Sequence, residues 1–172
     1  IDEKNIGHRS SLSDELFITV NNTLIDLGYD KETRAAILGN ALWESGNTFD
    51  PDKEEDNPNK ELKDLGKGIF QYTGNTRRGY EEYLKNKISK EKGDRARAQV
   101  HYMNELINNP NENDLGYIGS GNAKKLAEGL KEGSLEDKTR LFMNLFERPK
   151  KGKEHFLDRH RNAQNIYNSL NY

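Results

Sequence analysis

The sequence predicts a mainly α fold in a single domain spanning 1–172, with a short β-hairpin around residues 66–73 as its one extended element. Apolar residues recur at three- and four-residue spacings along most of the chain. Residues that start and stop helices punctuate those stripes. Runs that alternate apolar and polar residues are nearly absent. The 172 residues suit one domain. The chain is 32% hydrophobic and 33% charged, but its periodic stripes set it apart from a disordered polymer.

The elements follow in order. Leu12 precedes Ser13, read as an N-cap, and Phe17 can close a hydrophobic staple onto Leu12. Leu16, Phe17, Val20, Leu24 and Leu27 form one stripe that stops at Gly28. Asp30 caps the second helix, which carries Ile37, Leu38, Ala41 and Leu42 and ends at Gly46. Asn47 to Lys67, with Pro51, Pro58 and many acids, reads as a long loop. Tyr80, Tyr83, Leu84 and Ile88 mark a third helix, and Asp94 is read as the cap of a fourth that buries Val100, Met103, Leu106 and Ile107. Ala123, Leu126, Ala127 and Leu130 form a fifth, broken by Gly133. Ser134 and Asp137 resemble a capping box ahead of Leu141, Phe142, Leu145 and Phe146, and Pro149 stops that helix. The last runs from about Glu154 to Leu170, with Phe156, Ala163, Ile166, Tyr167 and Leu170 inward.

Charge and composition exclude several function classes. A net charge of -2 gives no field for nucleic acid or anionic membranes. With no cysteine there is no disulfide framework and no thiolate nucleophile or ligand. No apolar run reaches the length of a membrane span, so no membrane insertion is expected. The chain starts at Ile1 without a signal-peptide pattern and is read as a processed product or a domain excised from a larger protein. No metal site and no cofactor are expected. Asp50, Asp52, Glu54, Asp56 and Glu61 approach a calcium-loop spacing, but Glu55 stands where that loop needs Gly. His155 and His160 are five apart and share no helical face. Lys150-Lys151-Gly152-Lys153 reads as a solvated basic turn.

Glu44 is the residue the pattern singles out. At about 100° per residue it falls roughly 20° from Ile37, on the edge of the apolar arc. A helix C-terminus disfavours a carboxylate, and an apolar flank disfavours it again. Both raise its pKa, as a general acid requires. The competing reading is a boundary glutamate bonded to backbone or to an arginine. Downstream, "GKGIFQYTG" (66–74) places Gly66 and Gly68 before Gln71 and Tyr72. Amide, phenol and flat ring suit a sugar; a small hairpin around a core Phe70 is the alternative.

Together the two segments resemble the phage tail lysozyme family, the peptidoglycan-cutting domains of phage virions. Ala35 to Asn40, Glu44-Ser45, Gly66 to Gln71, Phe146-Glu147-Arg148-Pro149 and Arg159 to Tyr167 occur in the order of that family's motifs. The resemblance implies a lysozyme-like domain, with Glu44 as catalytic acid and Gln71 and Tyr72 in the sugar cleft; Tyr72 stands where the family usually has Trp. It implies a muramidase that cuts the β-1,4 bond between N-acetylmuramic acid and N-acetylglucosamine. Its partners would be peptidoglycan glycan strands and other tail or virion proteins, its location the phage tail. A lytic transglycosylase of the same bond choice, and a non-catalytic wall-binding or structural tail module, are the alternatives. For a second carboxylate, Asp50, Asp52, Glu54, Glu55, Asp56, Glu61 and Asp64 remain equal candidates, and Glu147 reads as a structural partner of the last helix.

Overall fold

Every residue from Thr33 to Leu42 is buried, so the helix that carries them has to be wrapped on all sides. A computed structural model describes residues 11–85 and 91–171, with side chains from Asp14 onward. In it that helix, α2 (Lys31–Glu44), is packed directly by α1 (Ser11–Asp26), α6 (Leu135–Phe142) and α7 (Phe156–Ser169). The remaining helices are α3 (Gly74–Leu84), α4 (Lys92–Asn108) and α5 (Ser120–Gly129). α4 closes on α1, while α3 and α5 pack on α4. The mainly α expectation holds.

Local chemistry accounts for most boundaries. The Asp30 carboxylate accepts the Thr33 N–H at 2.8 Å. The Ser134–Asp137 box is formed in both directions, with aspartate in the place of the usual glutamate. Two caps differ from expectation. α1 is already helical at Ser11, so Ser13 lies in its first turn. α4 begins at Lys92, so Asp94 sits inside its first turn, where the helix dipole favours an acid, and pairs with Arg97. Ile88 lies outside the described residues.

The expected hairpin is reduced to two isolated bridges, Lys67 with Tyr72 and Glu54 with Lys67, and no strand forms among the described residues. Gln99 explains why the segment stays short. Its buried amide accepts the Ile69 N–H at 2.8 Å and donates to the Pro51 carbonyl at 2.7 Å, pinning both halves of the loop onto α4. Gly68 has no room for a side chain here, because a Cβ would lie 2.2 Å from Gln99 Oε1.

Two small residues set the spacing of the central pair. A Cβ on Gly39 would sit 2.7 Å from the Ala163 nitrogen and 2.8 Å from its Cα and Cβ. α2 and α7 therefore touch backbone to backbone at this level. Gly39→Ala should force the helices apart and destabilise the domain by about 1–3 kcal/mol. Urea denaturation measures this, and an unchanged midpoint would show that the contact is slack.

Candidate active site

α2 ends where Ser45 takes over its C-terminus. Ser45 is fully buried, and its hydroxyl accepts the Phe49 N–H at 2.9 Å while its carbonyl accepts the Thr48 hydroxyl at 2.7 Å. Gly46 and Asn47 both adopt positive φ, 62° and 67°, and turn the chain sharply away. Phe49 then buries against Phe17 at 5.4 Å. The Glu44-Ser45 pair is thus a hinge point. Serine fastens the loop inside the core and leaves the preceding carboxylate at the edge.

That carboxylate meets Arg159. The guanidinium is buried and satisfied from three sides. Nη2 donates to Glu44 Oε1 at 2.5 Å, Nη1 to Asn40 Oδ1 at 3.1 Å, and Nε to the Glu154 carbonyl at 2.7 Å. Asn40 is held by the carbonyls of Ala36 and Thr139. The Glu44 side chain keeps 18% exposure, against 2% for Arg159. Burial pushes the Glu44 carboxyl up; Arg159 opposes this, Glu55 adds to it, His155 opposes it, and the net direction is upward. The arginine-paired reading of Glu44 is observed, and its raised carboxyl is the property that the general-acid reading requires.

A second buried carboxyl shares this guanidinium. α6 passes into a π-helical turn, Met143–Glu147, closed by the Arg148 N–H on the Met143 carbonyl at 2.8 Å. The wider turn stacks Phe146 on Phe142 at 4.8 Å and brings Glu147 to the cleft floor. Such turns recur at functional sites. Glu147 is half-buried as a residue, yet its Oε1 is sealed from solvent and has no hydrogen-bond partner. Burial, then the nearby Glu44 charge, hold its carboxyl well above 4.5, against the pull of Arg159 and Arg148. Glu44 and Glu147 thus raise each other's proton affinity, and the two arginines only partly offset the burial of Glu147.

The cleft over the cluster has a volume of about 660 Å³, within the range of ligand sites. Glu55, Lys60, Gly66 and Gln71 contribute to its lining, as do Trp43 and the residues from Glu147 to Lys150. Trp43 packs against His155 with ring centroids 4.7 Å apart and the planes tilted by 33°. Gln71 has φ 52°, and its amide donates to the Gly68 and Lys53 carbonyls. Its Oε1 lies over Gly66, where a Cβ would approach to 2.6 Å. Tyr72 departs from expectation. It is 3% exposed, its hydroxyl donates to the Gln99 carbonyl at 2.9 Å, and its ring packs among Phe70, Tyr80, Tyr102 and Phe146.

The loop acids also separate. Asp50 pairs with Lys92 and Asp52 with Arg95, both on α4. Glu54 faces Lys67 and Arg77, and the exposed Glu61 pairs with Lys63. Glu55 alone of the seven lines the cleft. Burial pushes its carboxyl up, but the Gly66 N–H at 3.0 Å and Lys60 at 3.0 Å outweigh that and hold it below 4.5. One cleft carboxyl is therefore biased towards its acid and another towards its base. A separate depression of about 380 Å³ lies beside Tyr29, Asn104 and Asn108. Its polar groups bond one another, and the one acid in its lining, Asp30, caps α2.

Arg159 was not singled out by the sequence reading, although a signal existed. It stands four residues before Ala163 and seven before Ile166, in line with the apolar stripe of α7. An arginine on a buried stripe demands an anionic partner.

Comparison with protein families agrees with this geometry. The family model described as phage tail lysozyme matches residues 18–170, nearly the whole chain. The chain belongs to that family, and its fold is a single lysozyme-like domain. The family carries a lysozyme-like action on peptidoglycan and a phage-tail setting. A search of curated proteins returned no match.

Two outcomes follow from these placements. Below about pH 4.5 Glu147 is neutral in both folded and unfolded chains; above it the unfolded chain ionises first, so stability falls as pH rises towards the folded value. Glu147→Gln should flatten that fall, its Tm advantage growing from about pH 4 to pH 7. A constant offset across that range would mean that Glu147 is ionised in the folded protein. Tyr72→Ala should cost about 3–5 kcal/mol in chemical denaturation. Turnover lost at full stability would instead put this ring in the cleft.

Proposed function

We propose that the cleft of this phage tail lysozyme family member cuts the β-1,4 bond between N-acetylmuramic acid and N-acetylglucosamine. The observation that carries the reading is the pairing of opposite tendencies in one cleft. Glu44, at the end of the buried α2, has a carboxyl pushed up by burial and an edge open to solvent. Glu55, on the facing loop, is held ionised by Lys60 and the Gly66 N–H.

The chemistry follows from those states. Glu44 gives its proton to the leaving glycosidic oxygen as positive charge develops at the muramic C1. Glu55 takes the place the sequence left open among seven acids: it holds the water that attacks C1 and accepts its proton. Gln71, its amide fixed by two carbonyls, presents Oε1 to a sugar hydroxyl or acetamide N–H. Trp43 offers a ring at the cleft edge. Arg159 keeps Glu44 in position and limits the rise of its pKa. Glycan strands are the substrate, and local opening of the wall at the phage tail during infection is the role.

Glu44→Gln should lower turnover by at least about a hundredfold while the domain stays folded. Glu55→Gln should lose nearly as much, and mass spectrometry of a digest should show reducing muramic ends. The wild-type rate should fall at high pH as Glu44 ionises and at low pH as Glu55 protonates. Products lighter by one water would replace attacking water with the sugar's own 6-hydroxyl and remove Glu55 from the reaction. Full turnover by Glu44→Gln would sink the assignment, and no cleavage by the wild type would leave a wall-binding module.

A further inference from the structure

The segment between the π turn and α7 places three cations in the cleft lining, Arg148, Lys150 and Lys153. The other charged groups there are accounted for: Glu44 pairs with Arg159, and Glu55 with Lys60. Burial holds the Glu147 carboxyl well above the usual carboxylate range, although Arg148 lies near enough to pull on it. Among the described residues no carboxylate comes within ion-pair distance of Arg148, Lys150 or Lys153. One wall of the cleft thus carries three cations that no carboxylate among the described residues pairs with.

That wall is held in place. Arg148 enters it at φ 48°, with its N–H on the Met143 carbonyl. The Lys153 N–H closes a turn on the Lys150 carbonyl at 2.8 Å, with Gly152 at φ 85°. At the far end the buried Arg159 grips the Glu154 carbonyl, and His155, at φ 51°, packs against Trp43. Left-handed backbone at a non-glycine residue is costly and persists where the surroundings enforce it. The backbone that carries the three charges is therefore held in place.

We infer that this wall, Arg148, Lys150 and Lys153, is a subsite for the carboxylates of the peptide attached to the muramic sugar, making peptide-bearing glycan the preferred substrate. The inference rests on the muramidase reading. Sugar rings and acetamides are neutral and give three cations no partner. The peptide hangs from the lactyl group of the sugar being cut, so it has to leave along one wall of the cleft. Its free carboxylates complement this one. Exposed cations steer and orient more than they hold, so the gain falls with salt.

The test compares two substrates freed of phosphate-bearing wall polymers: glycan strands with their peptides, and the same strands after an amidase has removed them. Binding is measured with Glu44→Gln, which does not cut, and cleavage with the wild type. Peptide-bearing strands should bind at least about fivefold more tightly at low salt, with the preference shrinking as salt is added. Lys150→Gln with Lys153→Gln, added to that background, should reduce the preference to near parity. Adding Arg148→Gln should remove what is left. Equal affinity for both strands, or an equal loss on both in the lysine variant, overturns the subsite. So does a preference that appears only with strands still carrying phosphate polymer. If the wild type cuts neither substrate yet the binding preference stands, the muramidase reading fails and the subsite survives.

Discussion

A guanidinium buried in the core requires an anion, and the architecture around the cleft follows from meeting that demand at Arg159. An unpaired charge there would cost several kcal/mol. Glu44 answers it from the end of α2, Asn40 from one turn earlier, and the Glu154 carbonyl from the approach to α7. Two helices far apart in sequence are locked in register at the point where their side chains reach solvent. Gly39 and Ala163 make this possible by letting the backbones touch. Ser45 then carries the chain away without uncovering the core.

The cleft is also where the molecule departs from ideal geometry. The π turn, the left-handed Gln71, Arg148 and His155, and the unbonded Glu147 oxygen all gather there. Elsewhere Asp30 and Ser134 cap their helices and the buried Gln99 amide is satisfied. Unfavourable features gathered around one opening indicate that the region answers to something other than stability. Here they bring three carboxyls towards one opening and give them different proton affinities. The same fold would be easier to stabilise with an apolar residue at 147, but the carboxyl that raises the proton affinity of this cluster would then be lost.

Much of this could be read from the sequence, because periodicity and caps are local. The stripes of α1 and α2, the box at Ser134 and the edge position of Glu44 depend on neighbours within a few residues. Asp94 was misread because an acid in the first turn and an acid at the cap look alike in sequence. The shortness of the hairpin and the burial of Tyr72 are not legible for a different reason. Gln99, Tyr102 and Phe146, the partners that set them, lie 27 residues and more beyond Tyr72. The choice of Glu55 from seven acids depends on which ones α4 neutralises, and Lys92 and Arg95 sit some forty residues on. Arg159 was legible in principle as a charge on a buried stripe, whereas its target was not.

The long separation between Glu44 and Arg159 has a consequence for synthesis. The two are 115 residues apart, one in the second helix and the other in the last. While the polypeptide is still being made, α2 exists without its arginine, and the Glu147 turn and the cationic wall have not yet emerged. The first six helices alone cannot assemble the opening. On the muramidase reading, the domain would thus remain inert as a nascent chain until α7 docks on α2.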